Sequence, residues 1–196
     1  IDNMNSIANG DYWIEILMDY QRGIIKAHEF EERFIINYTN VLKNLFKYTI
    51  NIPIKLKTKN MPKYRLIFCT DHPDGIFLMA DNMNKIWEEI VLKERNGQLS
   101  LFDFDYPGGL SGEKVRSLIE KELKLQKNYV ELKSLLCMFI EKYGLPMVPR
   151  VVKAELKKME QIGSVEVYRD PPLTPTGRLS KSFDHNELNI KVRIKQ

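Results

Sequence analysis

Hydrophobic residues recur every three or four positions through much of this chain, and in a few stretches they alternate with polar residues or run together. The first spacing predicts amphipathic helices over residues 12–21, 29–48 and 76–90, after a polar loop over 1–11. Residues 50–57 alternate and predict a strand, which belongs at an edge because Pro53 cannot donate to a ladder. Residues 64–70 are mostly apolar and predict a buried strand, antiparallel to the first because the link is short.

A polar corner, residues 70–75, follows the buried strand and contains the residue types that turns favour. We expect the helix after it to lie back on the strand, so that the two form an α/β unit. Asp71 and His72 would then lie beside the crevice where doubly wound sheets bind ligands. The alternative is that His72 only fixes the turn before Pro73, and that Asp71 or Asp74 caps the helix.

The last third of the chain predicts three helices and then two strands. Apolar stripes place the helices at residues 113–125, 131–143 and 149–162, with Ser111 capping the first and Gly144 ending the second. The second and third helices are joined tightly, as in a helix-turn-helix. Alternating residues predict strands near 165–167 and 188–194, with a proline-rich connection between them. This order resembles a small α+β winged helix.

Composition and charge divide the chain. Glycine and proline interrupt residues 96–111, which we interpret as a linker between domains at 1–95 and 112–196. Residues 1–111 contain 13 Lys and Arg against 15 Asp and Glu, whereas residues 112–196 contain 17 against 11. The basic excess of the C-terminal domain suggests a polyanionic partner, for which we expect DNA.

Basic residues in two places are the candidate nucleic-acid contacts. Those of the third helix, Arg150, Lys153, Lys157 and Lys158, lie on its polar face, where a recognition helix would meet the major groove. Those of the wing, Arg169, Arg178 and Lys181, stand near serines and suit phosphate oxygens. The competing interpretation is a solvated lysine-rich surface on a module that contacts proteins only.

Several function classes find no support in the sequence. No apolar run approaches the length of a membrane-spanning helix, and Cys69 and Cys137 lack a disulfide or metal spacing, so we expect a cytoplasmic protein without a metal. No serine or cysteine lies in a nucleophile-elbow sequence. No glycine-rich turn with an acidic strand end precedes residue 50, so we expect these residues to bind no S-adenosylmethionine.

The corner and its flanks resemble the three-Cys-motif partner proteins. In that family, a methyltransferase-like domain has an apolar strand, a Thr-x-His-Pro corner, a glycine and a methionine-containing helix. The matching residues here are Thr70, Asp71, His72, Pro73, Gly75, Met79 and Met83, after a glutamate-rich helix and an edge strand in the same order. The resemblance covers most of residues 1–95 and extends more weakly into the winged-helix region.

The resemblance implies a fold and a function. Residues 1–95 would be the C-terminal part of a doubly wound methyltransferase-like sheet that ends in an antiparallel hairpin, with the nucleotide-binding half before Ile1. The full-length protein would be an S-adenosylmethionine-dependent methyltransferase whose winged helix presents nucleic acid, and a radical-type three-Cys-motif protein would be its partner. The alternatives are a non-enzymatic module that binds DNA and a protein-docking scaffold. Catalytic residues are not assigned in either case.

Overall fold

The computed structural model describes residues 2–54, 64–94, 110–184 and 189–195. The chain folds into two compact units, Ile1–His72 and Pro73–Gln196. Each unit combines helices with a small antiparallel sheet, so the protein belongs to the mixed α/β class, as expected. The predicted linker at 96–111 lies outside the described residues except for Leu110 and Ser111. The doubly wound sheet stays a prediction.

The first unit places helices before a pair of strands. Its elements are α1 (Asp2–Ala8), α2 (Tyr12–Gln21), α3 (Ala27–Lys43), β1 (Tyr48–Ile54) and β2 (Tyr64–Thr70). Helix α3 packs on α2 and on β1. The strands pair from Tyr48 opposite Thr70 to Ile54 opposite Tyr64, which confirms the predicted antiparallel pair.

Two expectations for this unit are wrong. The polar sequence at 1–11 predicts a loop, but it forms α1, which tertiary contacts hold: Ala8 is fully buried, and Asn5 Oδ1 accepts a hydrogen bond of 2.9 Å from Trp13 Nε1. The more apolar strand β2 is also not the buried one. Its residues are half-buried or exposed, whereas Ile50 and Ile52 of β1 are buried because α3 packs on β1.

The second unit contains the remaining described elements. These are α4 (Pro73–Glu94), α5 (Gly112–Lys124), β3 (Val130–Glu131), α6 (Leu132–Tyr143), a 3₁₀ helix (Leu145–Met147), α7 (Pro149–Gln161), β4 (Val165–Asp170) and β5 (Asn189–Ile194). The three strands form an antiparallel sheet in the order β3-β5-β4, with Val192 of β5 opposite both Val130 and Val167. The predicted three helices and two strands are confirmed, and β3 is added.

The predicted helix boundaries follow from local chemistry. The Ser111 side chain accepts a hydrogen bond of 3.3 Å from the Lys114 backbone, as an N-cap does. Gly144 ends α6 with φ of 74°, a conformation that favours glycine.

The core of the second unit is built by buried side chains of α5, α6, α7 and β5: Val115, Ile119, Leu123, Leu132, Leu135, Leu136, Phe139, Ile140, Val152, Leu156, Met159, Ile190 and Val192.

Helix α4 belongs to the second unit. Its buried residues Ile76, Ala80 and Met83 recur at helical spacing, and the helix packs against α6 and the 3₁₀ helix. The buried face of α4 is thus covered by elements of its own unit, and the prediction that the helix lies back on β2 stays a prediction. An apolar stripe indicates that one helix face will be buried, but it does not identify the element that buries it.

Candidate nucleic-acid interface

Helix α7 has one apolar face and one basic face. Val152, Leu156 and Met159 are fully buried and hold the helix in the core, where it contacts α5 and β4. The exposed side chains of this helix are Arg150, Ala154, Lys157, Lys158 and Gln161. None of them is acidic. The face that α7 turns to solvent is thus neutral or positively charged along its whole length.

The two glutamates of α7 are paired within the unit. Glu155 is buried, and its carboxylate accepts hydrogen bonds of 2.8 Å from Arg116 and 3.1 Å from Lys158. Glu160 accepts bonds of 2.7 and 2.8 Å from the two terminal nitrogens of Arg169. Both negative charges are therefore neutralised by neighbouring cations, while the side chain of Lys158 stays 60% exposed.

Arg169, predicted as a phosphate contact, has a different role. The residue is only 7% exposed, and besides Glu160 its Nε donates a bond of 2.8 Å to the Ser182 carbonyl. Its guanidinium also lies 4.9 Å from the centre of the Phe183 ring, as a cation–π pair does. These contacts make Arg169 join α7, β4 and the segment before β5, and they leave little of its side chain exposed to a phosphate.

The connection between β4 and β5 carries the other predicted cations, Arg178 and Lys181, and both are exposed. Its turn is closed by the Thr174 N–H, which donates to the Arg178 carbonyl at 2.7 Å, and by the Gly177 N–H, which donates to the Thr174 carbonyl at 2.8 Å. Gly177 has φ of 76°, which a side chain would strain. Arg178 is therefore the last residue of this turn, 174–178, which we call the hairpin tip, and its side chain is exposed.

Arg150 and Lys153, at the N-terminal end of α7, are not equivalent to the later lysines. Arg150 forms an ion pair with Glu88 of α4. Lys153 is half-buried, and burial lowers its pKa. The negative charges of Asp184 and Asp81 raise the pKa but offset the effect of burial only in part. Both cations thus meet carboxylates of their own chain, in contrast to Lys157, which forms no ion pair with the described residues.

The corner residues Asp71 and His72 are exposed and lie at the end of the first unit. The Asp71 carboxylate accepts a hydrogen bond of 2.9 Å from the Lys47 backbone, and the His72 backbone donates one of 3.1 Å to the Thr70 hydroxyl. Such contacts fix a turn. They favour the interpretation in which these residues shape the corner over the one in which they line a ligand crevice.

Within the described residues, no group of three His, Cys, Asp or Glu side chains could hold a metal ion. None of the described helices is long and apolar enough to cross a membrane. No protein-family model, no curated protein and no solved structure matches this chain. The case for a function therefore rests on the geometry of α7 and of the β4–β5 hairpin.

The residues that the sequence interpretation missed lie on α4 and α6. Asp74, Asp81 and Glu88 follow one another at seven-residue intervals, which places them on one face of α4. Asp74 pairs with Lys133 of α6 at 2.9 Å, and Glu88 pairs with Arg150. The spacing is visible in the sequence, but it is typical of any solvated acidic face, so only the fold reveals which cations it meets.

Proposed function

We propose that residues 110–195 form a winged-helix module that binds duplex DNA through Lys157 and Lys158 of α7 and through the β4–β5 hairpin. The chain order α5, β3, α6, α7, β4, β5 and the sheet order β3-β5-β4 support this. The short 3₁₀ link between α6 and α7 is that of a helix-turn-helix, in which the second helix enters the major groove. The β4–β5 hairpin then corresponds to the wing.

The observation that carries the proposal is the distribution of charge on α7. Glu155 and Glu160 are neutralised by cations of the unit. Lys157 is exposed, and Lys158 stays 60% exposed although it pairs with Glu155 of the same helix. A duplex carries one phosphate charge for about every 1.7 Å of its axis, so such a face attracts it at any sequence. Arg178 at the hairpin tip adds a second point of contact.

A salt titration of duplex binding tests the proposal. Fluorescence anisotropy with a labelled duplex should give a dissociation constant that rises steeply with salt, with a log–log slope of about 0.9 for each phosphate contacted. Lys157→Ala/Arg178→Ala should reduce that slope by about 1.8 because two contacts are lost.

The matched control is Lys121→Ala/Lys124→Ala, which removes the same charge from exposed positions of α5. This variant should bind with the wild-type slope. A salt-independent wild-type interaction would contradict the proposal. So would a control variant that loses as much affinity as Lys157→Ala/Arg178→Ala, because binding would then follow net charge and not the α7 face.

The resemblance to three-Cys-motif partner proteins extends the proposal to the first unit, as the closing edge of a methyltransferase-like domain that acts with a radical-type three-Cys-motif protein. The antiparallel pair of β1 and β2 after the glutamate-rich α3 supports this part. Neither junction at which a described strand leads into a helix carries a glycine-rich turn, so the described residues do not fit S-adenosylmethionine. We derive no chemical step from them.

Calorimetry with S-adenosylmethionine on the complete protein tests the enzymatic part of the proposal. Saturable binding would support a methyltransferase that the winged helix supplies with nucleic acid. A folded protein that binds duplex DNA but gives no heat with S-adenosylmethionine would favour the alternative, a non-enzymatic DNA-binding or docking module. The two parts of the proposal can therefore fail separately.

A further inference from the structure

The acidic face of α4 is aimed at cations of α6 and α7. We call Asp74, Asp81 and Glu88 the acidic stripe; its members stand two helical turns apart, or about 10 Å along the helix axis. Asp74 pairs with Lys133, and Glu88 pairs with Arg150. Glu88 also accepts a hydrogen bond of 3.1 Å from Asn84, which fixes the position of its carboxylate.

The middle member of the stripe lies in a cleft between the helices. This cleft has a volume of about 660 Å³, and it is lined by α4 with Lys133 of α6 and with Pro149, Arg150 and Lys153 of α7. Asp81 contributes to the lining, and its Oδ1 is buried without a hydrogen-bond donor among the described residues. Lys153 therefore shares the cleft with the Asp81 carboxylate, one oxygen of which accepts no hydrogen bond from the described residues.

Helix α4 does not need its ion pairs to stay in this position. Ile76 and Ala80 are fully buried and Met83 nearly so, and they anchor the opposite side of the helix on α6 and the 3₁₀ helix. The carboxylates are consequently held beside the N-terminal cations of α7 even where a competing anion approaches. Their negative charge would repel a phosphate as well as occupy its partners.

We propose that the acidic stripe of α4 acts as an internal competitor of nucleic acid, which withholds Arg150, Lys153 and Lys133 from phosphate. The inference rests on the proposed function and adds a restriction to it. With the stripe in place, duplex binding uses Lys157, Lys158 and the hairpin only. A phosphate can reach the N-terminal cations of α7 only by displacing a carboxylate that the fold holds in place.

Neutralising the stripe without changing its shape tests the inference. Asp74→Asn/Asp81→Asn/Glu88→Gln should bind the labelled duplex about tenfold more tightly or better at low salt, because three cations become available to phosphate. The log–log salt slope should steepen by about 2 to 3 for the same reason. Circular dichroism and a urea titration establish that the variant is folded, and Glu88→Gln alone gives the same test at the half-exposed end of the stripe.

Two controls separate this mechanism from a simple change in net charge. Glu15→Gln/Glu32→Gln/Glu89→Gln removes three exposed carboxylates elsewhere and should bind like the wild type. Arg150→Ala/Lys153→Ala should change wild-type binding less than about twofold, yet abolish the gain when combined with the neutralised stripe. Such non-additivity is the signature of groups that act together.

The outcomes distinguish the inference from the function on which it rests. A wild-type protein that binds duplex with a steep salt slope, together with a stripe variant of unchanged affinity and slope, would overturn the inference and leave the proposed function standing. A gain of equal size in the Glu15/Glu32/Glu89 control would also overturn it. If neither the wild type nor the stripe variant binds duplex, the proposed function fails and the inference falls with it.

Discussion

Replacing Arg169 by methionine separates the role that the sequence suggests for this residue from the one that the structure gives it. The change removes two hydrogen bonds to Glu160 and one to the Ser182 carbonyl. Hydrogen bonds to charged groups contribute about 1.5–3 kcal/mol each. The full sum is not lost, because the Glu160 side chain is 29% exposed and can be rehydrated, and because methionine still packs on Phe183.

We therefore expect Arg169→Met to lower the free energy of unfolding by about 3 kcal/mol, near the lower end of the cost of breaking a buried ion pair. Urea titration followed by circular dichroism measures this as a lower midpoint with an unchanged slope. The matched control is Arg178→Met, which is exposed at the hairpin tip and should change stability by less than about 0.5 kcal/mol.

Duplex binding gives the opposite ranking of the two variants. Arg178→Met should make the log–log salt slope shallower by about 0.9, whereas Arg169→Met should leave the slope of the folded protein unchanged. The reasoning is refuted if Arg169→Met is as stable as Arg178→Met and also loses one phosphate contact. That result would return Arg169 to the interface.

Two further predictions concern α5 and α6. Burial alone would raise the pKa of Glu122, but hydrogen bonds from Lys142 and Tyr143 and the charge of Lys142 outweigh it and hold the pKa below the ordinary glutamate value of 4.5. The ionised carboxylate of Glu122 thus stabilises the fold at pH values above 4.5. Glu122→Gln should therefore lower the free energy of unfolding by about 1–2 kcal/mol at pH 7 in a urea titration. The stability difference between the wild type and this variant should shrink as the pH falls below 4.5. Phe139→Ala should cost about 3–5 kcal/mol in the same assay, because Phe139 is fully buried in α6 and its removal leaves a cavity; an effect under about 1 kcal/mol for either variant would contradict the packing described.

The sequence predicted the elements well where local chemistry defines them. Ser111 and Gly144 mark ends of α5 and α6 because a cap and a positive φ are properties of single residues. Helix α1 could not be predicted from single residues, since its asparagine-rich sequence favours a loop. The helix is held by tertiary contacts, among them the hydrogen bond from the Trp13 side chain to the Asn5 side chain. The burial of β1 depends likewise on its packing against α3, which the residues of the strand itself do not reveal.

The candidate site was predictable by residue type but not by role. In the sequence, Lys157, Arg178 and Arg169 are equivalent as candidate phosphate contacts. Only the fold shows that Arg169 pairs with Glu160. The pairing of Lys158 with Glu155 is a local one at three-residue spacing, and it could have been predicted from the helix alone. By contrast, Arg150 and Glu88 lie on two different helices, and the hydrophobic periodicity of the sequence does not predict that these helices are neighbours.

The position of α4 also changes the meaning of the charge asymmetry. With a boundary near residue 111, the C-terminal part has a net charge of +6, from 17 Lys and Arg against 11 Asp and Glu. With the boundary at Pro73, the second unit has 20 against 18 and a net charge of +2, equal to that of residues 1–72 with 10 against 8. Net charge therefore cannot carry the argument for a polyanion. What can carry it is the local arrangement, in which carboxylates neutralise the N-terminal end of α7 and leave Lys157 and the hairpin tip exposed.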